Sequence, residues 1–125
     1  MSFKQLTELA QSKLRAKQTS GFISCGQVSA AIETVDGNQY VGVCIDTPSS
    51  LGICAERNAA GNMITEGEFQ IVKLVALKGE KTVLPCGVCR EFLLQLHPEN
   101  GEIEILQNID GTTIKLKQLM PQWRE

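Results

Sequence analysis

Two cysteine-bearing segments, Cys54-Ala55-Glu56-Arg57 and Pro85-Cys86-Gly87-Val88-Cys89-Arg90, constrain this chain most, because whatever fold it adopts must carry them to one place. Three thiolates fill three corners of a tetrahedral zinc site and leave the fourth open. Glu56, two residues beyond Cys54, stands where a base is needed to take and return the proton of a metal-activated water. The pattern predicts Zn2+ held by Cys54, Cys86 and Cys89, with Glu56 as the catalytic proton carrier. That arrangement suits hydrolysis better than a closed structural clip.

The surrounding sequence places both segments at helix starts. Thr47 to Gly52 is turn-rich and delivers the chain to Cys54, after which Ala55, Ala59, Ala60, Met63 and Ile64 mark a helix ending near Gly67. Val88, Phe92, Leu93 and Leu96 mark a second, opened by the cysteine pair and stopped by His97-Pro98. Unpaired N–H groups and the positive end of the helix dipole favour thiolates there. Gly87 relaxes the backbone between Cys86 and Cys89.

An amphipathic opening helix is predicted from Phe3 to Lys17, with Leu6, Leu9, Ala10 and Leu14 inward, followed by a loop bracketed by Gly21 and Gly26. Residues 28–32 and 40–45 form a hairpin around Asp36-Gly37-Asn38. The nearly unbroken apolar run 71–77 reads as a central strand covered on both faces, and 102–106 alternates as another. Ile114, Leu116, Leu119 and Met120 are assigned to a short last helix. This order suggests one mixed sheet flanked by helices in a single domain over 1–125.

The 125 residues are enough for one core without disulfide help. A net charge of −2, with mixed signs along the chain, gives no footprint for nucleic acid. No apolar run approaches the roughly 20 residues that span a bilayer, and the N-terminus lacks an export signal, so a soluble cytoplasmic protein is expected. An odd count of five cysteines fits ligands and thiols better than a disulfide framework. Cys25 and Cys44 read as small buried hydrophobes.

Three thiolates around a dication leave surplus negative charge, which predicts cationic hydrogen-bond donors nearby. Arg57 and Arg90 each follow a ligand motif directly and are the candidates, one or both donating to the thiolates. His97, at a helix end before proline, reads as structural.

With these residues in view the chain resembles the cytidine deaminase family in its three-cysteine form. The likeness extends to Val28-Ser29-Ala30-Ala31, to Gly42-Val43-Cys44-Ile45-Asp46 and to the terminal Leu-Met-Pro-Gln-Trp, residues 119–123. It implies a three-layer α/β/α sandwich around a mixed five-stranded sheet, and hydrolytic attack on C4 of a cytosine-type ring with release of ammonia. It further implies that the Ala55 amide and the Leu84 carbonyl hold the ring, that the protein forms a homotetramer, and that Trp123 reaches over a neighbour's active site. Where the family has an Asn-x-Glu-Asn run to grip ribose, this chain has Cys44-Ile45-Asp46-Thr47, and an aromatic expected near Gly26 is missing. Ser29-Ala30-Ala31-Ile32 and the segment from Cys86 to Leu96-His97-Pro98 look closer to blasticidin S deaminase. Three rivals stand beside this reading: a structural zinc module closed by Cys44 or Cys25, a thiol-disulfide oxidoreductase using Cys86 and Cys89, and a deaminase of another aminated heterocycle.

Overall fold

The computed structural model describes residues 2–123; the ends of the expected 1–125 domain lie outside them. Helix α1 (Lys4–Ser12) is followed by strands β1 (Lys17–Gln18), β2 (Ser24–Thr34) and β3 (Gln39–Asp46), then α2 (Ala55–Thr65), β4 (Ile71–Lys78), β5 (Lys81–Thr82), α3 (Gly87–Leu96), β6 (Glu104–Leu106) and β7 (Thr113–Lys115). All seven strands join one sheet. Its five longer members run β3-β2-β4-β6-β7, antiparallel except for the β4–β6 pair, which α3 connects.

Alternation along the strands builds the layers. Ala30 and Ile32 of β2 and Leu74 and Ala76 of β4 turn to one face, under α2 and α3. Ala31, Val75 and Leu77 turn to the other, under Phe3, Leu6 and Ala10 of the α1 side. β4 is therefore covered on both faces, as its apolar run predicts. The result is the expected α/β/α sandwich, with two-residue strands β1 and β5 added to the five-stranded sheet.

Three local expectations are corrected. The opening helix stops at Ser12, and the chain turns so that Lys17 and Gln18 pair with Cys25 and Ser24. The loop expected between Gly21 and Gly26 is shorter, because β2 begins at Ser24 and Gly26 lies inside it at a bulge. Ile114 belongs to β7, and a 3-10 turn begins only at Leu116. In the first and third cases pairing with a neighbouring strand overrides local helical spacing.

Packing of α2 positions the site. Ala55, Ala59 and Ala60 are buried small residues on its inner face. A Cβ at Gly42 of β3 would stand 2.4 Å from the Ala59 nitrogen, so glycine lets the helix lie directly on the strand. Asn58 and Asn62 then donate to the carbonyls of Val43 and Val41 at 3.0 and 2.9 Å, fixing the helix along β3. At the far end of α3, fully buried Asn100 donates to Leu93 and Phe69 and accepts from the Ile71 N–H. That knot ties α3 to the start of β4.

Candidate active site

Cys54 and Cys86 are the N-cap residues of α2 and α3, both in extended conformation. The two helix starts meet, with Cys54 Sγ 3.5 Å from Cys86 Sγ and Cys86 Sγ 3.6 Å from Cys89 Sγ. All three sulfurs lie within 4.8 Å of one another. Three donors bonded at 2.3 Å to a common tetrahedral centre stand about 3.8 Å apart, so this spacing and soft donor set fit zinc. Neither Cys25 nor Cys44 belongs to the cluster, so among the described residues no fourth sulfur closes it.

The electrostatics match the geometry. Burial opposes ionisation of Cys86, but hydrogen bonds from the Cys89 and Val88 N–H groups and from the neighbouring thiols overcome it and hold its pKa below the usual thiol value. Cys54 is pushed up by burial and by Cys86. Cys89 is pushed well up, by burial first and then by the negative charge of Glu56. A dication held by the three sulfurs would favour their thiolate forms.

Glu56, in the first turn of α2, is 5% exposed. Burial raises its pKa, only partly offset by its own backbone N–H and by Arg57. It lines a cavity of about 680 Å3 together with Cys54, Cys86, Ala55 and Leu84. Cys44 and Asp46, from the end of β3, line the same cavity.

The two arginines part company. Arg57 Nη2 stands 4.0 Å from Cys54 Sγ, and bonds to Cys54 and Cys89 raise the guanidinium's pKa against the effect of burial. Arg90 instead donates through Nε to the Pro85 carbonyl at 2.7 Å and through Nη1 to the Leu119 carbonyl at 3.3 Å. The expectation that Arg90 serves a thiolate is corrected: it braces the loop before α3 against the C-terminal segment. Trp123 does not line its own chain's cavity; its Nε1 donates to both Glu91 carboxylate oxygens at 3.0 Å on the outer side of α3. His97 caps the C-terminal end of α3 and accepts the Glu99 N–H at 3.0 Å.

Two polar cavity residues on strands escape the sequence reading. Gln27 of β2 and Lys78 of β4 line the cavity, and nothing in their local sequence marks them; the sheet register alone brings them in. Thr47, just beyond β3 in the segment compared with the family's ribose grip, contributes a buried hydroxyl with no hydrogen-bond partner among the described residues.

Residues 3–103 match the family profile described as the cytidine and deoxycytidylate deaminase zinc-binding region. A cytidine deaminase of Halalkalibacterium halodurans is 33% identical over 99 residues, covering 76% of this chain and 74% of that relative. The crystal structure of cytidine deaminase from Mycobacterium leprae superposes with a TM-score of 0.79 at 25% identity, covering 98% of this chain and 99% of that one. That from Burkholderia pseudomallei gives 0.73 at 25% identity, with 98% of each chain covered. The Mycobacterium tuberculosis enzyme, at 23% identity, shares the fold with a TM-score of 0.80 over 100% of this chain and 98% of its own. By that match and these relatives the chain belongs to the cytidine and deoxycytidylate deaminase family of hydrolytic zinc enzymes.

Proposed function

We propose that the chain deaminates a cytosine-type base carried on a nucleoside or nucleoside analogue, either cytidine and deoxycytidine or a blasticidin S-like compound. The observation that carries this reading is buried Glu56, two residues from a metal-binding thiol and lining the same cavity as the thiol cluster. Zinc, when held by Cys54, Cys86 and Cys89, supplies an activated water and a Lewis acid. Glu56 would accept a proton from the attacking water and deliver it to the ring nitrogen, then take the second proton from the hydroxyl added at C4 and hand it to the departing amine. Its burial favours the neutral form, which suits a group that must hold a proton between two transfers. The Ala55 N–H meets the ring carbonyl and the Leu84 carbonyl meets the amino group, both roles independent of side chain. Arg57 moderates the negative charge of the thiolates.

Asp46 and Cys44 face the substituent on the ring. A homotetramer accounts for Leu51, an apolar residue 84% exposed that immediately follows the cavity-lining Ser50, and for exposed Val88 beside the cysteine pair. In such an assembly Trp123 lies over a neighbour's site and supplies the aromatic surface absent at Gly26. Light scattering fixes the chain number, and Trp123→Ala raises KM if the ring crosses to a neighbour. Five cysteines outside any disulfide suit the reducing cytoplasm, where the enzyme acts in nucleoside metabolism.

The direct test is zinc analysis combined with loss of ultraviolet absorbance on cytidine, deoxycytidine, cytosine and blasticidin S. Turnover of at least one with stoichiometric zinc is expected. Full zinc with no turnover on any of them contradicts the reading.

A further inference from the structure

Gln27 occupies the bulge of β2, where pairing with β3 shifts between Cys25 and Ser29, and no role so far uses it. Gly26 beside it has φ +83°, and a Cβ there would stand 2.1 Å from the Arg15 carbonyl oxygen. Gly26 faces a separate cavity beside Arg15, and Gln27 is the bulge residue that lines the active-site cavity.

The orientation of the Gln27 amide that satisfies both of its ends points Nε2 at two acceptors, the Cys25 carbonyl at 3.2 Å and Asp46 Oδ2 at 3.3 Å, while Oε1 accepts from Ser24 Oγ at 3.2 Å. Cys44 Sγ lies 3.4 Å from the same end of that amide and 3.8 Å from Asp46 Oδ2, and it accepts the Val28 N–H at 3.3 Å. Both amide hydrogens and the thiol hydrogen are thus engaged within the wall. What this corner offers the cavity is the exposed carboxylate of Asp46, which has no cationic partner among the described residues.

We infer that Gln27 is a positioning residue that, with Cys44, fixes Asp46 as an acceptor-only corner for a hydrogen-bond-donating group on the substituent of the substrate's ring. The inference rests on the deaminase reading above. The donating group is a 2′- or 3′-hydroxyl of a sugar or an ammonium, and these two sources are told apart by experiment.

Steady-state kinetics with cytidine, 2′,3′-dideoxycytidine and an N1-aminobutyl cytosine test it, using wild type, Asp46→Asn, Gln27→Ala and Gln27→Met, which keeps the chain length without the amide. Zinc content and thermal midpoint report folding for each. Removing a charged acceptor raises KM for the donor-bearing substrate about tenfold or more in Asp46→Asn. Both Gln27 variants raise it about three- to tenfold, with kcat within about twofold, since they loosen the acceptor without removing it. Dideoxycytidine, which lacks the donor, shows a far smaller rise in KM than the donor-bearing substrate in every variant. Preference for cytidine identifies a hydroxyl as the partner; preference for the aminobutyl compound identifies a cation. Equal losses on cytidine and dideoxycytidine, a fall in kcat at constant KM, or no change in either Gln27 variant overturns the inference while leaving the deaminase intact. Wild type that carries zinc yet turns over none of the three substrates overturns the deaminase reading and the inference with it.

Discussion

The two walls of the cavity are built by different rules. One consists of the starts of α2 and α3, where Cys54, Glu56, Cys86 and Cys89 come from short segments whose spacing is local and whose backbone amides point inward. The other consists of strand ends, where Gln27, Cys44 and Asp46 meet only because β2 bulges and its register with β3 shifts. On the proposed function the first wall carries the reaction with any ring that fits, because its groups would address the metal, the leaving amine and the proton. On the same proposal the second addresses whatever the ring is attached to. Chemistry and selectivity are therefore separable by mutation.

The largest effect belongs to the first wall. Cys86→Ser removes the sulfur shared by the two short S···S contacts, and zinc falls below stoichiometry with turnover at background; elemental analysis and an ultraviolet assay check this. Arg57→Ala weakens zinc retention or activity by about 10- to 100-fold, read by competition with a chelator, because the guanidinium no longer meets the Cys54 and Cys89 sulfurs. If Arg57→Ala instead changes KM alone, the division between the walls fails.

Smaller effects come from residues that serve neither wall directly. Asn100→Ala leaves the Ile71 N–H and two carbonyls without their partner in a fully buried place, and costs about 2–4 kcal/mol in denaturant unfolding with kcat/KM of the surviving enzyme unchanged. Arg90→Ala loses two bonds to backbone carbonyls, a cost of about 1 kcal/mol, and leaves zinc affinity near wild type. Measured side by side with Arg57→Ala, it sharpens the distinction between two arginines that each close a ligand motif.

Those arginines show where sequence stops informing. Each follows a ligand motif, yet Arg57 turns along the first turn of α2 toward sulfur, whereas Arg90 is drawn to the Pro85 and Leu119 carbonyls, and Leu119 is remote in sequence. The three cysteines and Glu56 were legible because helix geometry determines where residues two or three apart will point. The central strand was legible because it is apolar on both faces. Gln27 and Lys78 were not, since their place in the cavity depends on register between strands, and a glutamine after a glycine looks the same in any loop. The opening helix was overextended for the same reason: Leu14 keeps the helical spacing, but pairing of Lys17 with Cys25 takes the backbone. Asn100, an ordinary loop residue by sequence, becomes a structural knot through contacts about thirty positions away.

Glu56→Gln tests the central claim most directly, because it keeps the shape of the buried side chain and leaves every thiol in place. Purified side by side, wild type and variant are predicted to hold equal stoichiometric zinc, while deamination of the accepted cytosine substrate falls by about 10²- to 10⁴-fold in kcat. A variant that retains zinc and deaminates at the wild-type rate would contradict the account.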